Sequence, residues 1–481
     1  MKYLSGLLLL LTLIMAGFWS CRDDGFDSSP HLRLSFSQDS LLFDTVFTTK
    51  GSSTRTFRVY NTHNRRIRLN DIMLAGGAQS FYRMNVDGRS GTMLKDVTIE
   101  PNDSIFVFVE VTIDPVNQSL PLTIVDSILF NINGHIQDVK LVAWGQDAHF
   151  IHPNYTDPNT GLSFHIIDEN TTWTSGLPYV VYGIAAVAPG VTLRIEEGSN
   201  IHFHNNSSLI FLQQSSLKVD GSLENPVTFQ GDRLETFYRE QPGQWGRIWF
   251  TATSRDHEID YAIIKNGTVG LHVDTLGSYT DPTLRIRNTV IKNMSLAGLL
   301  AQGSHVEAEN LAIANCGEHA MILALGGNYD FRHLTIANYF SIKARNTPSV
   351  FINNYYEDID GQIQQRDFVN LYFANSIIYG SNQEELGFDL LEGTESGFIF
   401  DHCLIRTRMD LSLPGFKEVI SQDPLFHNNA VHDFRLTDNS PAIGKGDPDI
   451  AIAIPFDLQG LDRTHRPDLG ALQYTHIEEE K

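Results

Sequence analysis

Two hydrophobic patterns divide the chain, and neither has a helical period. From residue 31 to 148, short runs alternate apolar with polar positions, as in Leu32-Arg33-Leu34-Ser35-Phe36, Phe57-Arg58-Val59-Tyr60 and Ile67-Arg68-Leu69. Residues 104–111 alternate most strongly, and 128–132 and 139–143 follow. A period of two puts one side of a strand on a core and the other in water. Asn133-Gly134 separates the last two runs, and that dipeptide favours a tight hairpin. Runs and turns at this spacing predict an immunoglobulin-like β-sandwich over 31–148.

From 149 to 475 the pattern becomes a repeat. Segments opened by Tyr261, Asn288, Asn310, His333, Asn375 and His402 each end three residues later, in Ile264, Ile291, Ile313, Ile336, Ile378 and Ile405. Their spacings are 27, 22, 23, 42 and 27 residues. A second polar position follows each of the first four Ile residues: Asn266, Asn293, Asn315 and Asn338. Self-similarity at such a period marks a solenoid. Coils stacked at the strand spacing of about 4.8 Å bring like side chains above like. Asn suits the corners because it tolerates left-handed backbone and can bond along a ladder. The spacing of 42 predicts an insertion around 353–366.

The two ends of the repeat carry a family likeness. The stretch from Pro189 to Ser199 resembles the first coil of parallel β-helix proteins. Asp423-Pro424-Leu425-Phe426, Ser440-Pro441-Ala442-Ile443, Asp457-Leu458-Gln459-Gly460 and Arg466-Pro467-Asp468-Leu469-Gly470-Ala471 resemble the closing segment of the pectate-lyase-like superfamily. The resemblance implies an all-β chain, an N-terminal β-sandwich followed by a right-handed parallel β-helix over 149–475, with a tail at 476–481. It says little about activity, because function resides in a site rather than a fold.

Residues 1–20 read as a signal peptide: Lys2, then the largely apolar run 7–17. Phe18-Trp19-Ser20-Cys21 resembles a bacterial lipobox, which implies lipidation at Cys21, a tether over 21–30 and an outer-membrane location, with surface exposure open. Cys316 and Cys403 lie in apolar, strand-like surroundings and read as buried free thiols. Net charge is −22, which disfavours nucleic-acid and anionic-membrane partners. Glycans or envelope proteins fit better.

The superfamily contains polysaccharide lyases, glycoside hydrolases and non-catalytic adhesins. The paired acids and Gly-His-Gly of polygalacturonases are missing from the repeat, so no catalytic residue, metal site or cofactor is assigned. Asp256-His257-Glu258-Ile259-Asp260 reads as a solvated acidic turn. The most distinctive stretch is 231–245, which leaves the strand pattern and carries charges beside Phe237, Tyr238 and Trp245. Aromatic faces among planar polar groups suit sugars. Asp232, Arg233, Glu235, Tyr238, Gln244 and Trp245 are therefore the candidate glycan-binding residues, the alternative being a structural brace. The leading expectation is a non-catalytic binding or scaffolding surface. The alternatives are a lyase or hydrolase with a lateral groove, and a structural subunit of an outer-membrane assembly.

Overall fold

The computed structural model describes residues 25–48, 50–114, 122–274, 280–393 and 397–476. Cys21 and the signal segment lie outside the described residues. The chain divides into two compact units, Met1–Asp147 and Ala148–Lys481.

The first unit is a β-sandwich of two five-stranded sheets. One sheet centres on Ser104–Val111, flanked by Arg55–Tyr60 and Tyr82–Val86; the other centres on Leu122–Ile132, flanked by His135–Gln146 and Ile67–Leu74. The alternation read from the sequence is what fills the space between them. Val107, Val109 and Val111 from one sheet meet Ile128, Phe130 and Ile132 from the other in a single core. Asn133 and Gly134 take φ of +51° and +83°, and Ile132 pairs with His135 across them. The hairpin is built as its dipeptide requires.

The second unit is a parallel β-solenoid. Each coil contributes strands to three rows. The first row runs through Ile184–Val187, Ser208–Phe211, Ile248–Phe250, Val269–Val273, Ala297–Gln302 and His319–Ala324, all paired in parallel. The second and third rows begin as separate strands, such as His257–Asp260 and Ala262–Lys265. In the following coils they fuse into bent strands such as Leu284–Lys292 and His305–Ala314. The bend is the expected corner. Tyr261, Asn288, Asn310, His333, Asn375 and His402 all have φ between +47° and +54°. Pairing of Arg287 with Glu309 and of Thr289 with Leu311 sets Asn288 against Asn310. A second track of corners, after the third row, aligns Asn266, Asn293, Asn315 and Asn338.

The first track is also where the C-terminal segment docks. Asn310 donates to the Asn288 side chain and to the Phe456 carbonyl, both at 2.9 Å, and accepts from buried Arg463 at 2.9 Å. Asn375 accepts from the Asp447 N–H at 2.7 Å and donates to the Asp447 carbonyl at 3.0 Å. His333 lies between Asn375 and the Gly470 carbonyl, and burial pulls its imidazole well below the ordinary range. The expected insertion is a two-stranded ribbon, Tyr355–Glu357 against Ile363–Gln365. Cys316 and Cys403 are buried free thiols, pushed up to about 12 by burial.

Coil strands are found from His149–Ile151, which pairs with Tyr179–Val181, and Ser163–Ile167 and Thr171–Trp173 lie beneath Ile184–Val187 and Thr192–Glu196, so the likeness at Pro189 falls one coil into the stack. One expectation needs correction. His257 is no part of a solvated turn. It sits in the core against Phe250, accepts from the Leu217 N–H and bonds Ser254, while Asp256 and Glu258 share the Lys218 ammonium.

The docking track gives a stability prediction. Asn310→Gly keeps the left-handed corner but removes an acceptor from a buried guanidinium and a donor from two oxygens. Urea unfolding should show a loss of about 2–3 kcal/mol. A loss under about 0.5 kcal/mol, the range of an ordinary surface change, would contradict the docking account.

Candidate functional site

The 231–245 excursion leaves the third row at Gly231, makes one turn of 3₁₀ helix at Thr236–Glu240, and rejoins the coil at Trp245. Its return is fixed from inside. The Trp245 ring lies flat on Phe203, 4.4 Å between centroids at 13°, and its indole N–H donates to the Lys265 carbonyl at 2.8 Å. Glycine is required at 267 because a Cβ there would stand 2.8 Å from the Trp245 ring. Gln244 donates to the carbonyls of Tyr238 and Gln241, at 2.6 and 2.8 Å, and Asn266 donates to that of Arg239 at 2.9 Å. The loop is thereby tied to the second corner track.

The structure divides the six candidates. Trp245 is wholly buried, Asp232 is nearly so, and the Gln244 amide nitrogen is spent on the loop's own backbone. Trp245 packs into the coil, Asp232 meets His204 of the coil beneath, and Gln244 bonds the loop's own carbonyls, the arrangement of the structural-brace alternative. Arg233, Glu235 and Tyr238 form the outer part. The Arg233 guanidinium sits 3.9 Å from the Tyr238 ring centroid and holds Glu235 through both carboxylate oxygens, at 2.7–3.1 Å. The bonds to Glu235 raise the Arg233 pKa against the pull of burial. Phe237 stands edge-on to Tyr238 at 5.1 Å and is 69% exposed.

A column of rings leads up to this loop. Register places His152, Tyr182, His204 and Asp232 at one position of successive coils. His152 stacks on Tyr182 at 4.5 Å, Tyr182 meets His204 at 4.8 Å, and the His204 Nδ1 lies 2.9 Å from Asp232. Composition did not reveal the column, since its members are separated by whole coils.

The far end of the loop walls a pocket of about 430 Å³. Glu240 reaches Asn293 at 2.5 Å and Lys292 at 3.0 Å, with Lys265 at 3.9 Å. Burial opposes its ionisation, but the two ammonium groups and Asn293 prevail and hold the carboxyl below its ordinary value. Asn315, Tyr339, Phe340, Asn429 and His432 line the rest. The sequence signal for this pocket was the Asn266, Asn293, Asn315 repeat. Its opposite wall comes from the distant closing segment, which no local pattern supplies. Among the described residues no group of three or more His, Cys, Asp or Glu is placed to hold a metal.

No family model and no curated protein matches this sequence. Solved structures similar to it include a family 123 glycoside hydrolase from Clostridium perfringens, studied for glycolipid glycan hydrolysis, and PapD-like domain 7 of human CEP192. The hydrolase is 7% identical at a TM-score of 0.19, over 25% of this chain and 31% of its own. The PapD-like domain is 10% identical at a TM-score of 0.17, over 25% of this chain and 94% of its own. The match thus spans under a third of the hydrolase. Likenesses this slight carry no functional argument.

Brace and surface separate by stability. Trp245→Ala should cost about 3–5 kcal/mol, as for a large aromatic removed from a core. Phe237→Ala should stay within about 0.5 kcal/mol of wild type. Equal losses in denaturant titration would overturn this division of the loop.

Proposed function

We propose that this chain is a lipid-anchored cell-envelope protein whose solenoid is a non-catalytic scaffold for binding carbohydrate. The observation that carries the reading is the outer part of the 231–245 loop. An exposed Phe237 stands beside Tyr238, Arg233 and Glu235, which hold one another in fixed geometry. Sugars offer apolar C–H faces for rings and hydroxyls for planar polar groups, so such a pairing suits them. Because the polar groups are already ordered, little conformational entropy remains to be lost on binding.

A structural role in a larger envelope assembly is the second reading. It is favoured by one outward line on the first row, where Ile210, Trp249, His272, Leu300, Ile322 and Phe351 fall in register. His272 interrupts the line, nearly buried and paired with Asp274, but the stretch beyond it at Leu300, Ile322 and Phe351 is apolar and suits a flat protein partner.

A glycan array with the full chain tests the first reading. Wild-type protein should retain a defined set of glycans, and Phe237→Ala should weaken retention about tenfold, a loss of about 1.4 kcal/mol, with no change in melting temperature. An array on which wild type binds nothing would refute it. The anchor is tested separately. Cys21→Ala should move the protein from the membrane fraction to the soluble one; a variant still membrane-bound at wild-type level would refute lipidation.

A further inference from the structure

The corner between the first and second rows falls at Gly190, Gln214 and Thr253 in three successive coils. Pairing of Val187 with Phe211 and of Phe211 with Phe250 sets these residues one above the other. All three have left-handed backbone, with φ of +77°, +60° and +70°. Glycine takes that conformation freely, whereas threonine, branched at Cβ, is among the residues least suited to it. Strain of this kind persists only where the surrounding structure holds it, and it concentrates at functional sites. Thr253 stands at the wall of a cavity of about 790 Å³, together with Gln213, Gln214, Arg255 and Asp281. Each of these five side chains belongs to an exposed residue. Among the described residues, those of Gln213, Gln214 and Arg255 make no hydrogen bond or ion pair with another protein group.

We propose that this cavity is a subsite for a neutral sugar residue, whose neighbouring hydroxyls pair with the planar side chains of Gln213, Gln214, Arg255 and Asp281. Adjacent hydroxyls offer two donors and two acceptors side by side. A carboxamide accepts from one hydroxyl and donates to the next, a guanidinium fork donates to both oxygens, and a carboxylate accepts from both. The Thr253 hydroxyl adds a further donor and acceptor, which a glycine at that corner would lack. The charges favour an uncharged ligand. Asp256 is held by Lys218 at 2.9 Å and Arg285 by Glu307 at 3.2 Å, so Arg255 and Asp281 remain on the wall as one charge of each sign. The volume lies in the range of about 300–1,000 Å³ common for small-ligand sites. No residue of the 231–245 loop lines this cavity, so the inference goes beyond the reading above and stands on different side chains.

The experiment titrates the full chain with glucose, galactose, mannose and glucuronate by calorimetry. At least one of the three neutral hexoses should bind saturably. Arg255→Ala and Gln214→Gly, the second of which keeps the left-handed corner, should each weaken that binding about tenfold, the scale of losing one side chain's hydrogen bonds. Phe237→Ala should leave it unchanged. Thr253→Gly should weaken it too while raising the melting temperature, because it releases the strained corner. Hexose binding that survives Phe237→Ala would support the subsite even where the glycan array refutes the loop. No saturable binding of any hexose would overturn the subsite, as would binding undiminished in both Arg255→Ala and Gln214→Gly. Binding lost in Phe237→Ala alone would assign it to the loop and overturn the cavity while the carbohydrate reading stood. Glucuronate bound in preference to every hexose would overturn the neutral class. A lower melting temperature in Thr253→Gly would overturn the strain argument that singles out this corner.

Discussion

The solenoid depends on left-handed corners, carried by asparagine at Asn288, Asn310 and Asn375 and by a ring at Tyr261, His333 and His402. A right-handed backbone cannot turn so sharply between two short strands, and most side chains resist positive φ. Asn accepts the angle and then offers a donor and an acceptor beside the turn. In this chain those groups do more than stack. Asn310 and Asn375 receive the C-terminal segment through Phe456, Arg463 and Asp447, so the corners that shape the coils also receive their cover.

That cover explains where charge is tolerated inside. Arg463 is buried, its guanidinium pulled down to about 10 by burial although Asp457 and Asp468 favour its charge. It bonds the Asn310 side chain and the Gly470 and Ala471 carbonyls. Glu385 and Arg345 form a second fully buried pair, with Ser349 and Asn382 donating to the same carboxylate. Breaking such a bonded buried charge by removing one partner is strongly destabilising. With the register held in this way, one coil can release a 15-residue excursion between Gly231 and Trp245 without disturbing its neighbours.

The sandwich and the coils were legible because both rest on short-range periodicity. Val107, Val109 and Val111 face inward as their alternation requires, and the corners at Asn288, Asn310 and His333 stack as their spacing implies. The candidate site was legible only as a location. Composition marked the 231–245 loop, yet it could not separate Trp245, which packs on Phe203, from Phe237, which faces water. Inside and outside are decided by residues one coil away. The Glu240 pocket was less visible still, since Asn429 and His432 reach it from the closing segment. Lipidation at Cys21 rests on sequence alone.

Native-state hydrogen exchange tests the central claim, that corner amides bind the closing segment into the same cooperative unit as the coils. The Asp447 and Ala471 amides, which donate to Asn375 and Thr335, should exchange with the same opening free energy as those of Leu284–Lys292, because all open together. Fast exchange at Asp447 and Ala471 while that strand stays protected would show a cover that detaches independently, and the account would be wrong.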